Sequence, residues 1–482
     1  MRSFFFCFLW SLVGMGQTAG QGFPIEVPID LQESMALVPI EEEGFALIDY
    51  SEMQKTQRFS CTLYDTLGQV YWQTTLAVQK GLYFGYSTVV GKQIYLLFYS
   101  YYEDDYQVFK INNKGFVEQS TFHYIRNFDV KNFAADKQGV YLLGYLREKP
   151  MSLYYHWKQA QTTILPIQIE GEVYFRTLVE EWQQNRLNIV LYQKEKNRKS
   201  NLIVKVLSEG KVIESHTLQD ERFYLLDGIA IYDSLQKQTV LLALFSPQDW
   251  YLPKGFLVAK WQNTQDNRSE LVCMQKKNFG ELDGFFDYIH SEKQRTRYRQ
   301  KVLKREARKT GFFFGFEAIS TQFTQQGGNY WLLTDFAYPL HWSYHALLPE
   351  YTYNYSHALL LEIEGSNCEI KNSYPLIVST RDRFVTRSEL QPLSVFQLQK
   401  DSVQMAFIDG YYWYSKHIRR GANDVSKEST AKKDTLSDLE TDNVAFVPNF
   451  IAKKWYKGHY LLYGHRKLRN GKDIIWIDKK RW

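Results

Sequence analysis

The sequence predicts an all-β chain of about eight (seven to eight) repeated four-stranded sheets closed into a ring, with one basic helix inserted. Three observations predict it. Composition leans to strands: of 482 residues, 35 are Tyr, 32 Phe and 12 Trp, and aromatic and β-branched side chains suit a pleated, half-buried surface. An apolar hairpin recurs along nearly the whole chain, its first four intervals close to the repeat length of four-stranded units and the long later ones marking insertions. Polar turns ending in Gly separate the strands, which is the chemistry that short antiparallel connections need. With 44% hydrophobic and 23% charged residues the chain is globular rather than disordered, and 12 Pro with 28 Gly exclude collagen-like and low-complexity classes.

The first segment, 1–21, stands outside the expected fold. Met1 and Arg2 are followed by an apolar core, Phe4-Phe5-Phe6-Cys7-Phe8-Leu9-Trp10, and by small residues Gly14, Gly16, Ala19 and Gly20. That order reads as a secretory signal peptide, cut before Gln17 or Gln21. The apolar run is shorter than the roughly 20 residues a bilayer demands, and Cys7 lies inside it, too early for lipid attachment. No later stretch approaches spanning length. The mature protein is expected to be exported, periplasmic or at the cell surface, with no transmembrane segment.

The repeat then runs in order. Its instances are Phe45–Tyr50, Ile94–Tyr99, Val140–Tyr145, Leu187–Tyr192, Val240–Phe245, Tyr330–Asp335, Val403–Ile408 and His459–Gly464. A second apolar strand follows several of them, as in Ser60–Tyr64, Tyr106–Ile111, Leu202–Val206, Gly255–Lys260 and His357–Ile363. A third begins after polar turns, at Val70, Phe116 and Val212. At these residues the chain resembles the β-propeller superfamily, in the manner of kelch-like or quinoprotein-like blades. It carries no WD series, no kelch Gly-Gly pattern and no Ser-x-Asp-x-Gly-x-Thr-Trp box, so no specific family is identified. The resemblance implies a closed β-propeller over 22–482, with fold-level analogy and no activity attached. The last hairpin lacks an outer strand, which Ile25–Ile29 can supply, closing the ring and removing a sheet edge. Two stacked β-sandwiches are the alternative reading of the same strands.

Three stretches interrupt the repeat. Within 279–325, Phe285 to Lys309 is expected as one helix. An aromatic loop occupies 338–356, and 421–442, without aromatics, is expected as a mobile loop. The helix concentrates the charge: Ser291 to Lys309 holds nine Lys or Arg against two Glu, whereas the whole chain nets +5. Basicity is therefore local. After removal of Cys7, the cysteines are Cys61, Cys273 and Cys368. Without a C-x-x-C pair they support neither zinc nor dithiol chemistry. One disulfide with a spare thiol, or three buried thiols, both fit, and the fold is expected to be held by its core rather than by staples.

Catalytic signatures are absent, with no H-E-x-x-H, G-x-S-x-G, Walker or EF-hand pattern. Neither a cofactor nor a metal is expected. His341, His345 and His357, even with Glu350, show no ligand pair on one element face. Acidic runs at Glu41–Glu43, Asp104-Asp105, Glu180-Glu181 and Asp283 with Asp287 are expected in turns and solvated loops, without the fixed separation a glycosidase needs. The candidate partner contacts are Trp342, Tyr344, Tyr351 and Tyr353 in the aromatic loop, because such rings dominate interface hot spots. Arg295, Arg299, Arg305 and Arg308 of the helix join them, since clustered cations attract an acidic protein or an anionic surface. Period-two Tyr351, Tyr353 and Tyr355 equally suit core packing. The expected function is a non-catalytic, protein-binding scaffold in a bacterial envelope or secretion assembly. The alternative is a carbohydrate-binding or glycan-active propeller. Nucleic acid is not an expected partner.

Overall fold

A computed structural model describes residues 23–29, 35–53, 56–100, 102–167, 169–195, 200–247, 252–263, 269–289, 291–307, 314–343, 350–378, 393–409, 412–420, 432–435, 450–454, 459–467 and 473–481. The expected signal segment lies outside them. The apolar runs found in the sequence are long and unalternating because they sit in the middle of sheets, buried on both faces. Gln238–Ser246, for example, is buried at every position. Each of the eight runs is the second strand of a four-stranded antiparallel sheet, and eight such sheets follow one another. They span 35–76, 83–123, 128–165, 172–219, 224–278, 317–377, 394–435 and 450–481, and are numbered here as blades 1 to 8.

The sheets meet side by side around a ring, so the chain is an eight-bladed β-propeller and not a pair of sandwiches. One apolar cluster fills each junction. Phe59 and Leu63 of blade 1 pack with Leu96 and Phe109 of blade 2. The series continues around the ring to Trp413 of blade 7 with Tyr460 and Trp476 of blade 8. Leu461 and Ile477 of blade 8 then meet Leu37, Phe45 and Leu47 of blade 1. Closure is made by the strand Ile25–Ile29, which becomes the fourth strand of blade 8, pairing Ile25 with Ile477 and Ile29 with Asp473. Pro28 is tolerated there because an outermost strand has no further neighbour for the N–H it lacks.

The first strand of each blade faces the axis. In blades 2 to 6 this inner strand slips register against its neighbour, between Phe84/Tyr86, Val130/Asn132, Phe175/Thr177, Leu225/Asp227 and Ser320/Gln322. The displaced residues are Gly85, Lys131, Arg176, Leu226 and Thr321. A bulge adds one residue and re-aims its side chain, so the same device recurs at one level of five consecutive blades.

The expectation of a fold without staples is corrected. Cys273, on the outer strand of blade 5, is bonded to Cys368, in the turn before the outer strand of blade 6, with Cα atoms 6.3 Å apart and a sequence separation of 95. Cys61 is a free thiol whose burial pushes it up to about 12. Among the described residues, no helix is long and apolar enough to cross a membrane.

Candidate functional site

The candidate site is the face of the ring reached by the connections between blades. The connection from blade 5 to blade 6 starts with a short 3-10 turn, Phe279–Glu281. Phe279, Phe285, Phe286, Phe314 and Phe316 then sink into the junction core, where they account for the local run of Phe in the sequence. Gly284 is required at the turn: its φ is +71°, and a Cβ there would lie 2.4 Å from the Pro375 side chain. Ser373 fixes the turn further by donating to the Asp283 carbonyl at 2.7 Å.

The helix, α1, spans Glu292–Ala307. It begins later than the sequence reading placed it, because Phe285, Phe286 and Ile289 are core residues of the preceding turn. Ser291 caps it, accepting the Gln294 N–H. One side is bound to the body: Val302 is fully buried, and Tyr298 meets Phe286 edge-on at 5.7 Å. Arg295 donates to Asp287 at 2.9 Å and to the Ile289 carbonyl. Arg295, a candidate partner contact in the sequence, is therefore also an anchor of the helix. Arg299 lies 3.8 Å from Asp283 on the exposed rim, Arg305 is exposed, and Arg308 lies outside the described residues.

A ribbon rises from blade 6. The second and third strands of blade 6, Asn329–Ser343 and Glu350–Glu364, run past the sheet as a two-stranded extension. Trp342 pairs with Tyr351 across it. The side chains of 340–352 are not described, so Trp342 and Tyr351 are placed by backbone only, and Tyr344 lies outside the described residues. Tyr353 is corrected: it is buried with Tyr355 in the cluster between blades 6 and 7, because strand alternation turns both inward. Tyr338 points the other way, onto Phe316 of the connection at 6.2 Å.

His357 joins the two insertions. Its ring stacks on Phe336 at 4.6 Å and on Tyr288 at 4.9 Å. Ser356 bonds its Nδ1 at 2.8 Å, while Nε2 has no hydrogen-bond partner among the described residues. Burial holds the imidazole far below its usual range, at about 3, so it is a neutral packing group.

The inner strands line the axis below this face. Tyr86 donates to the Val130 carbonyl at 2.9 Å, and Tyr145 accepts the Phe175 N–H at 2.8 Å, so ladder groups freed by the bulges of blades 3 and 4 are satisfied from the preceding blade. Glu180 and Glu181 are inner-strand residues, not the turn carboxylates expected from sequence. Glu180 is bonded to Thr88 of blade 2 at 2.7 Å, and burial pushes its carboxyl up to about 7. Glu181 is raised by burial although it accepts the Tyr232 N–H at 3.0 Å. Asp227 is also raised by burial, against the pull of Arg176. Thr177 donates to the Gly228 carbonyl, so Asp227 lies level with the bulge while Glu180 lies three residues further along, roughly 10 Å at strand rise.

Metal-type donors gather elsewhere. Asp104, Asp105 and His123 place ligand atoms within 4.8 Å of one another. His123 is paired with Asp105, and Arg126 lies 3.7 Å from Asp104. The group lies on the rim of blade 2, with His123 exposed and both carboxylates half-buried.

No protein-family model and no curated protein matches the chain. Among solved structures, it is similar to dihydro-heme d1 dehydrogenase NirN in complex with DHE, with TM-score 0.43 and 10% identity over 93% of this chain and 74% of that one. It is similar to polysaccharide lyase Uly1, with TM-score 0.38 and 9% identity over 94% and 99%. A prolyl endopeptidase matches with TM-score 0.40 and 6% identity over 83% of this chain, which spans 50% of that enzyme's length. At identities this low the likeness says nothing about activity.

Proposed function

We propose that the protein is an exported, non-catalytic scaffold that binds a protein partner in a bacterial envelope or secretion assembly. The observation that carries this reading is the pairing of two insertions on one face: a basic helix and a strand ribbon, both rooted in the aromatic cluster around His357. Loops and extensions on a rigid scaffold are where recognition is built. Rigid rooting lowers the ordering cost of binding. The signal-like start and the Cys273–Cys368 disulfide support an oxidising, extracytoplasmic setting.

The test is affinity capture from the native envelope with three baits of equal melting temperature. These are the wild type, a ribbon variant with Trp342→Ala and Tyr351→Ala, and a helix variant with Arg297→Glu and Lys301→Glu. The expected result is a stoichiometric protein partner lost from at least one variant. A partner held equally by all three baits, or none at all, overturns the reading. A glycan-array signal in the absence of a protein partner favours the carbohydrate-binding alternative.

A further inference from the structure

Helix α1 has two opposite sides. Arg295, Tyr298 and Val302 face the body of the ring. Lys293, Arg297, Lys301 and Lys304 are all exposed and follow one another at intervals of four, four and three residues. At 100° per residue they fall within an arc of about 80°, turned away from Val302, and the stripe is about 16 Å long at helical rise. No ion pair or hydrogen bond engages these four among the described residues, while the cations on the flanks have been given work: Arg295 holds Asp287 and Arg299 approaches Asp283. Sequence alone shows a basic segment; the packing sorts its cations into anchors and a free, single-signed line.

We infer that this stripe docks an acidic helical segment of the partner protein, with carboxylates repeating at the same four-, four- and three-residue spacing. The inference rests on the protein-binding reading above. A second helix lying alongside presents its side chains at the same rise, so each cation meets one carboxylate without bending either backbone. The helix is already ordered, so on this side binding adds no backbone ordering to the rigid-body and side-chain entropy it costs. An anionic membrane fits less well. Interfacial helices bury an apolar face among the lipids, and here Tyr298 and Val302 are committed to the ring. Sugar acids fit less well too, since the stripe contains no ring on which to stack them.

The experiment uses the full mature chain and fluorescence anisotropy. The probe is a labelled helical peptide with glutamates at the matching spacing. The control is a peptide of identical composition with the glutamates spread around the helix. The matched peptide is expected to bind at least about tenfold more tightly than the control, to weaken steeply with salt, and to lose at least about tenfold on Arg297→Glu/Lys301→Glu. Equal affinity for both peptides, or no binding to either, overturns the inference. So does capture of the wild type by phosphatidylcholine–phosphatidylglycerol vesicles with loss in the variant, which would assign the stripe to lipid. A captured envelope partner that survives the double charge reversal would leave the scaffold reading standing and remove this one. Because no hydrogen bond or ion pair engages the four side chains among the described residues, an unchanged melting temperature of the variant guards against simple unfolding.

Discussion

His357 lies between the Phe336 and Tyr288 rings, closed off from water, with Ser356 as its one polar partner among the described residues. Charging it there means desolvating a cation without a counter-ion, and burial depresses it to about 3 from an ordinary value of 6.5. The unfolded chain therefore binds a proton that the folded chain refuses as pH falls below about 6.5. Stability is full above that value and drops by roughly 1.4 kcal/mol for each pH unit below it. Glu180 acts in the opposite sense. Its carboxyl is raised to about 7 by burial, so its contribution is full below the ordinary carboxylate range and is lost as pH rises towards about 7. Denaturant melts across pH check both. His357→Phe should flatten the acid limb. Glu180→Gln should raise stability above pH 7 by about 1–2 kcal/mol, a figure reduced for solvent in the channel. An acid limb unchanged in His357→Phe would contradict the assignment.

At the level of elements, legibility followed burial. The second strands of all eight blades were readable because both their faces are covered, which writes unbroken apolar runs such as Val240–Phe245. Inner strands were not readable. One side faces the axis and tolerates Thr88, Arg176 and Glu180, and the bulges in blades 2 to 6 shift the period-two pattern by one residue midway. Glu180 and Glu181 were misplaced for that reason; a polar-rich strand ahead of each apolar run was the available signal. The disulfide depends on a pairing between blades, which spacing along the chain does not encode. Because Cys273–Cys368 closes a loop of about 95 residues, Cys273→Ser/Cys368→Ser should cost about 2–4 kcal/mol in denaturant melts. A reductant should lower the wild-type melting temperature and leave that of the double variant unchanged. Equal stability of wild type and variant would mean that the apolar junction between blades 5 and 6 suffices alone.

The whole molecule is a ring of eight junction cores, each shared by two blades, so closing it matters more than any single contact. Strand Ile25–Ile29 completes blade 8, and its removal would bare the Asp473–Arg481 strand as a sheet edge. Deleting residues 23–29 should lower the melting temperature by several degrees, on the order of ΔΔG 1–3 kcal/mol, and promote oligomers in size-exclusion chromatography. A monomer with wild-type stability would show that the ring closes through its side-chain junctions without the strand.

By itself the sequence determined the repeat, a count of seven to eight blades, a candidate closing strand and the location of the basic charge. All of these are written in local apolar runs, in turn glycines and in composition. The ring of eight sheets was decided by the tertiary structure. Tertiary structure alone decided which side chains remain free to act. Tyr353 and Arg295 look like surface contacts in the sequence, yet one is packed between blades 6 and 7 and the other is locked onto Asp287. Burial and pairing of a side chain are set by neighbours distant in the chain, so no local pattern records them. The same packing that engages those two residues leaves Lys293, Arg297, Lys301 and Lys304 aligned on the outer side of α1.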